Sequence, residues 1–267
     1  MKVFSQGGKF FAVGEDQIIL IEIACKSLDK FFENPQSFVD EAEQSKQTRP
    51  VDLTKFSTLD PPVSPSKIVC VGRNYAEHAK ELGNIVPDEP LLFLKPPSSL
   101  VGHGGDVIYP TTCQLLHHEA ELGVVIAKRG RNLSREMAAN YIAGFTVSVD
   151  VTARDLQRKD KTWLRGKGYD TFCPVGPFVA CNDDLSLVKA QDVEIQLKVN
   201  GEIRQKARTS EMIFKVDELI EYISSIMTLF PGDLILTGTP SGVGTLNRGD
   251  VIETTIEGIG TLRNKVV

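Results

Sequence analysis

Within His117-His118-Glu119-Ala120-Glu121-Leu122-Gly123-Val124-Val125-Ile126, two carboxylates stand two residues apart. On an extended strand successive side chains alternate, so His117, Glu119 and Glu121 share one face and Ala120, Leu122, Val124 and Ile126 the other. Such alternation commonly marks a half-buried strand whose polar face meets water. Two neighbouring carboxylates repel each other, however, and a cation relieves that repulsion. A third carboxylate, Asp150, closes the apolar run Gly144-Phe145-Thr146-Val147-Ser148-Val149. It either marks where that strand emerges into solvent or completes a three-carboxylate cluster. An all-oxygen set of this kind suits the hard ions Mg2+, Mn2+ or Ca2+ better than zinc, and three protein ligands leave positions for water and substrate.

Three further segments carry chemical groups. In Gly72-Arg73-Asn74-Tyr75-Ala76-Glu77-His78-Ala79-Lys80-Glu81, a helical conformation places His78 and Glu81 on one face. A carboxylate beside an imidazole orients it as a general base for water, although an incidental surface pair has the same spacing. Between Thr152 and Asp170 lies a dense run of charges with the only Trp of the chain, Trp163. Such runs are usually solvated, yet these cations could also grip an anionic substrate. Finally, Leu236-Thr237-Gly238-Thr239-Pro240-Ser241-Gly242-Val243-Gly244 is a glycine-rich loop after a strand. It lacks the spacing of a phosphate-binding loop or a dinucleotide fingerprint, and reads as a tight turn or as backbone N–H groups and hydroxyls receiving a carboxylate.

The elements that position these groups are mostly strands. Lys67 to Val71, Leu91 to Leu94, Glu121 to Ile126, Phe145 to Val149, Val193 to Val199 and Leu234 to Leu236 have β-favouring composition. Asn200-Gly201 is a two-residue hairpin turn, and Asp250 to Val267 reads as a second hairpin turning near Gly258. Lys9 to Ile23 reads as another, turning at Gly14-Glu15-Asp16, and residues 24–48 carry a weak helical pattern. Helices are expected at Ser134 to Tyr141, with Ser134 as N-cap, and at Asp217 to Met227, where Leu219, Ile220, Ile223, Ile226 and Met227 form one apolar stripe. Asp60-Pro61-Pro62-Val63-Ser64-Pro65-Ser66 breaks regular structure and is the best domain boundary. The expected class is α+β, predominantly β, without regular βαβ alternation.

Bulk properties bound the function. The formal charge of −5 gives no footprint for nucleic acid or an anionic membrane. No apolar run approaches the ~20 residues that span a bilayer, and Met1 to Gly8 has no apolar core of a signal peptide. Five scattered cysteines without a C-x-x-C pair argue against a disulfide framework or zinc knuckle and for a reducing cytoplasm.

Taken in order, the motifs resemble the fumarylacetoacetate hydrolase family. Those that carry the resemblance are Val69-Cys70-Val71-Gly72-Arg73-Asn74-Tyr75 with His78, Phe93-Leu94-Lys95-Pro96, His117 to Leu122, Asp150-Val151-Thr152-Ala153-Arg154-Asp155, Cys173-Pro174-Val175-Gly176 and Thr237 to Gly244. The resemblance spans residues 66–267 and implies a catalytic domain with a rolled mixed β-sheet there. Residues 1–60 then form a small N-terminal α/β domain. It further implies a homodimer that binds Mg2+ or Mn2+, with Ca2+ as a further option, on Glu119, Glu121 and Asp150. Members act on small 2-oxo acids by acylpyruvate hydrolysis, oxaloacetate decarboxylation or isomerisation of a 2-hydroxyhepta-2,4-diene-1,7-dioate. By position, His78 and Glu81 correspond to the pair that activates water, and Lys167 to the group that stabilises developing negative charge. Arg73, Arg154, Gln157 and Thr239 would line the substrate pocket. The surroundings of Lys95 match less closely, and Lys95 stays outside the expected site. Acylpyruvate hydrolysis is the leading expectation, with decarboxylation or isomerisation as alternatives. A protein that keeps the fold and binds 2-oxo acids without turnover is the alternative of another class.

Overall fold

The computed structural model describes residues 2–13, 19–23, 31–32, 48–50, 57–81, 83, 85–181 and 185–267. Strands dominate them. In chain order they begin with β1 (Lys2–Gln6), β2 (Lys9–Val13), β3 (Ile19–Ile23), β4 (Thr48–Pro50), β5 (Ile68–Gly72) and β6 (Leu91–Lys95). Next come β7 (Leu100–Val101), β8 (Asp106–Val107), β9 (Leu116–His118), β10 (Ala120–Ile126), β11 (Ile142–Val149) and β12 (Thr152–Ala153). The series closes with β13 (Cys173–Cys181), β14 (Glu194–Val199), β15 (Glu202–Arg208), β16 (Leu234–Leu236), β17 (Gly244–Leu246), β18 (Val251–Ile256) and β19 (Gly260–Val266).

An 11-stranded sheet has the order β4-β3-β2-β1-β13-β11-β10-β16-β5-β6, with β7 also on β13. A 5-stranded sheet runs β15-β14-β18-β19-β8, and a 3-stranded one runs β12-β9-β17. Most pairs are antiparallel, but β16 lies parallel to β5, β7 to β13 and β8 to β19, so the architecture is a mixed β fold. Leu122 and Val124 of β10, Phe145 and Val147 of β11, Ile195 of β14 and Ile256 of β18 share one hydrophobic cluster. Val125 of β10 joins Cys70, Val175 and Leu234 on the other face. The strand that carries Glu121 is therefore buried on both sides.

Several expected elements are present. The hairpin turns at Asn200-Gly201, where Asn200 has φ +52° and Gly201 +83°, the left-handed pair that a two-residue turn requires. β18 and β19 form the C-terminal hairpin. The long helix runs Val216–Ile226 and packs Leu219, Ile220 and Ile223 into the core, whereas Ile226 is exposed because the chain leaves the helix at Met227. Arg135–Tyr141 is a 3-10 segment instead of an α-helix, and Ser134 makes no cap because its hydroxyl serves the Glu136 carboxylate. β13 went unexpected, since it contains Pro174 and Pro177. Pro174 faces β7 across a parallel edge, and Pro177 falls where the register with β11 shifts, so neither position needs a ladder N–H. The expected turn at Gly14 and most of the helical pattern at 24–48 lie outside the described residues; Phe31 and Phe32 are buried against each other, ring to edge, at 5.4 Å.

Buried Asn74 joins the segment after β5 to the glycine-rich loop. Its amide donates to Thr237 O (2.7 Å) and Phe214 O (3.0 Å), and its oxygen accepts from Phe214 N (2.7 Å). Gly238, at φ +96°, approaches so closely that a Cβ there would lie 2.7 Å from the Asn74 Cβ. Replacing Asn74 by Ala orphans these backbone groups, so Asn74→Ala should lower unfolding free energy by about 2–4 kcal/mol in a urea titration; a loss below about 0.5 kcal/mol would contradict this role.

Candidate metal centre and cavity

Glu119 occupies the joint between β9 and β10, and Glu121 follows within β10. The β10–β11 register sets Ala120 opposite Val149, and Asp150 N donates to Glu119 O at 2.8 Å. That backbone bond brings the strand-end Asp150 to the E-x-E pair. Oxygen atoms of the three carboxylates lie within 4.8 Å of one another, all buried. Asp150 thus ends its strand in the interior, not in solvent.

Cations surround the cluster. Arg154 and Lys167 bind the two Glu119 oxygens, the latter at 2.7 Å. Lys167 also binds Asp150 Oδ2, and Lys95 Nζ binds Asp150 Oδ1 at 2.6 Å. Glu121 has no cationic partner among the described residues; its Oε2 accepts from Gly238 N at 2.7 Å. The electrostatic outcome differs accordingly. Burial alone would raise the Glu119 carboxyl, but Lys167 and Arg154 outweigh it and hold the group well below the usual range. Burial, reinforced by Asp150 and Glu119, pushes Glu121 well above it. Burial disfavours the Lys167 charge, yet Asp150 and Glu119 reverse that effect and hold the ammonium protonated.

The donor set fits a hard divalent ion. Every candidate ligand is a carboxylate oxygen, and an oxygen that accepts from a lysine retains a second lone pair. The raised Glu121 is the group that gains most, because a cation there offsets two neighbouring carboxylates.

The cluster forms the floor of a cavity of about 250 Å³. Arg73, His78, Arg154, Gln157, Lys167 and Thr239 line it together with Glu119, Glu121 and Asp150. Arg73 follows β5 in the left-handed region at φ +59°, an unusual backbone for a side chain of this size. Arg154 and Gln157 lie on the helix Arg154–Lys159 and bind each other at 2.6 Å; Lys167 ends the short helix Leu164–Lys167. The charge run therefore turns Arg154, Arg158 and Lys167 into the cavity, while Lys159, Lys161 and Arg165 stay exposed. His78 and Glu81 share the helix Ala76–Glu81, with Nδ1 to Oε2 at 3.3 Å. Glu81 stands behind His78 and also accepts from Gly242 N at 3.0 Å. Burial lowers the His78 pKa, so the ring is neutral at pH 7.

Two groups of residues escaped the sequence reading. Lys95, excluded there, is buried on Asp150; the signal was a lysine ending an apolar strand directly before a proline. Phe93 and Trp163 wall the cavity edge to face at 5.2 Å, with Lys167 Nζ 5.0 Å from the Phe93 ring centre. No spacing rule connects residues so far apart in the chain.

Known proteins resemble this chain in sequence and fold. The family model described as fumarylacetoacetate (FAA) hydrolase C-terminal matches residues 67–267. An oxaloacetate decarboxylase of Dictyostelium discoideum is 50% identical over 200 residues, 73% of this chain and 90% of that protein. The crystal structure of 5-carboxymethyl-2-hydroxymuconate delta-isomerase from Mycobacterium smegmatis has a TM-score of 0.84 and 38% identity, covering 100% of this chain and 99% of its own. Fumarylpyruvate hydrolase from Pseudomonas aeruginosa, solved with Mn2+ and pyruvate, has a TM-score of 0.72 and 36% identity over 78% of this chain and 91% of its own.

Glu119→Gln keeps the shape of the side chain and removes one negative charge from the candidate ligand set. It should weaken Mn2+ binding by about a hundredfold in a calorimetric titration; unchanged affinity would remove Glu119 from the site.

Proposed function

Because the chain belongs to the fumarylacetoacetate hydrolase family, we propose that it is an enzyme that cleaves a C–C bond in a small 2-oxo acid with Mg2+ or Mn2+ on Glu119, Glu121 and Asp150. The leading activity is acylpyruvate hydrolysis. The observation that supports it is the His78–Glu81 pair at a cavity whose floor is the carboxylate cluster. When bound, the divalent ion supplies Lewis acidity and a template for the adjacent keto and carboxylate oxygens of a 2-oxo acid.

The residues supply the rest. Glu81 accepts from His78 Nδ1–H, which leaves Nε2 to take a proton from water. The hydroxide adds to the distal carbonyl carbon, two bonds from the 2-oxo carbon, and the bond between that attacked carbon and the intervening methylene breaks to release a carboxylic acid. The electron pair moves toward the 2-oxo oxygen, where the Lys167 ammonium offsets the charge, and returns as the methylene carbon takes the proton held on His78 Nε2, which gives pyruvate and restores the base. Arg73, Arg154, Gln157 and Thr239 orient the substrate carboxylates, and Phe93 and Trp163 exclude water from one wall.

A second reading has a specific support. The decarboxylase of Dictyostelium discoideum is more similar in sequence than the fumarylpyruvate hydrolase, and loss of CO2 from oxaloacetate develops the same negative charge beside Lys167 without need of His78. The same proposal includes a homodimer and a reducing compartment, in keeping with free thiols at Cys70, Cys113 and Cys173. It also includes a boundary between residues 1–60 and 66–267, in keeping with a family match that begins at residue 67. No helix among the described residues is long and apolar enough to cross a membrane.

With Mg2+ or Mn2+, acetylpyruvate or fumarylpyruvate should yield pyruvate and a carboxylic acid, whereas CO2 from oxaloacetate alone would transfer the assignment to decarboxylation. Binding of both without turnover would make the chain a non-catalytic receptor. Hydrolysis should decline as pH falls below the lowered His78 value, which lies under the ordinary imidazole value of about 6.5, since protonation removes the base. His78→Ala should reduce kcat/KM by about 10²–10⁴ and remove that acid limb while Mn2+ affinity is retained; an unchanged profile would exclude His78 as the base.

A further inference from the structure

Gln205 belongs to the outer strand β15, where Glu202, Ile203, Arg204, Lys206 and Arg208 are exposed and Gln205 alone is buried. The β14–β15 register shifts here: Leu197 pairs with Gln205 and Lys198 with Ile203, so Arg204 is an extra residue. A bulge of this type re-aims the neighbouring side chain, and it sends Gln205 inward to a strand 85 residues away.

Backbone groups fix which end of its amide is which. Ala120 N, an obligate donor, bonds Oε1 at 3.0 Å, and Pro240 O, an obligate acceptor, bonds Nε2 at 2.9 Å. Oε1 also meets His118 Nδ1 at 3.0 Å, and the second Nε2 proton goes to Thr239 Oγ1 at 2.8 Å. All four hydrogen-bonding positions of the amide are used. The consequence falls on Thr239, a buried residue of the cavity wall. Its oxygen already accepts, so its proton has to be donated elsewhere, and no acceptor for it is found among the described residues. The neighbouring Gly238 N holds Glu121. One loop therefore touches the carboxylate cluster on one side and Gln205 on the other.

We infer that Gln205 is a positioning residue that holds the Thr239 hydroxyl as a hydrogen-bond donor to the carboxylate of the 2-oxo acid, an inference that rests on the function proposed above. In Gln205→Glu the side chain keeps its shape, and its ionised carboxylate can only accept from Thr239, which turns the hydroxyl proton away from the cavity.

The test titrates oxalate, a chelating dicarboxylate, into Mn2+-loaded wild type, Gln205→Glu, Gln205→Met, Thr239→Val, Thr239→Ser and the Gln205→Glu/Thr239→Val pair, with Mn2+ alone titrated in parallel. Gln205→Glu and Thr239→Val should each weaken oxalate about tenfold or more. The pair should bind no more weakly than Thr239→Val alone, Thr239→Ser should bind as wild type, and Mn2+ affinity should stay within about twofold throughout. A merely structural role would instead lower Mn2+ and oxalate affinity together. Wild-type oxalate affinity in folded Gln205→Glu, or losses that multiply in the pair, would overturn the inference. Should no Gln205 variant fold, NMR of the Gln205 side-chain amide in the Mg2+-loaded chain decides: its resonances should move on oxalate addition and in Thr239→Val, and fixed resonances would overturn it. Wild-type protein that ignores oxalate would overturn the proposed function itself, and with it the ligand named here.

Discussion

A buried cluster of opposite charges governs this molecule. Glu119, Glu121 and Asp150 lie in the interior beside Lys95, Lys167 and Arg154. Removing such charges from water is costly, and geometry has to supply the compensation. Asp150 receives a lysine on each carboxylate oxygen, and Glu119 receives Lys167 and Arg154. Glu121 is left with one backbone N–H. This asymmetry makes Glu121 the least compensated of the three carboxylates and the natural receiver of an added cation. Fold and site share the constraint, because the carboxylates sit on or at the ends of β10 and β11, neighbouring strands in the middle of the core.

Much of the site could be read from local sequence because strand geometry carries local rules. The period of two put Glu119 and Glu121 on one face, and the end of an apolar run marked Asp150. The Asn200-Gly201 turn and the Leu219–Ile223 stripe are local signals of the same kind. The reading lost force where one face was assumed to meet water. Alternation in β10 indicated a polar face, but that face meets cations drawn from residues 95, 154 and 167, which no periodicity connects. Lys95 was set aside for its proline-rich neighbours, although the residues after a strand do not determine what its last side chain touches. β13 was concealed by two prolines that sit where no ladder N–H is needed. Ser134 had the composition of a cap, but its hydroxyl was claimed by a neighbouring carboxylate.

The cavity residues share one arrangement: short elements carry the polar groups, and long-range backbone contacts hold those elements. The helix Ala76–Glu81 follows directly on the Asn74 junction, and Glu81 in turn receives Gly242 N. The glycine-rich loop is thereby fixed at both ends, by Asn74 at Thr237 and by Glu81 at Gly242. The sequence shows its glycines plainly but not their reason, which is the close approach of other backbone at Gly238 and Gly242.

The pairing of β1 with β13 has a consequence beyond catalysis. Lys2 and Val3 cover Ala180 and Val179, and Phe4 packs its ring edge-on to Phe178 at 6.0 Å. The first strands of the chain thus shield a flank of the central sheet that lies within the matched family region. Without them β13 would present unsatisfied N–H and C=O groups beside exposed apolar surface, the template on which foreign strands add and aggregation begins. Seen this way, the opening residues act as a guard against misassembly, and selection could retain them for solubility even if they never touch a substrate.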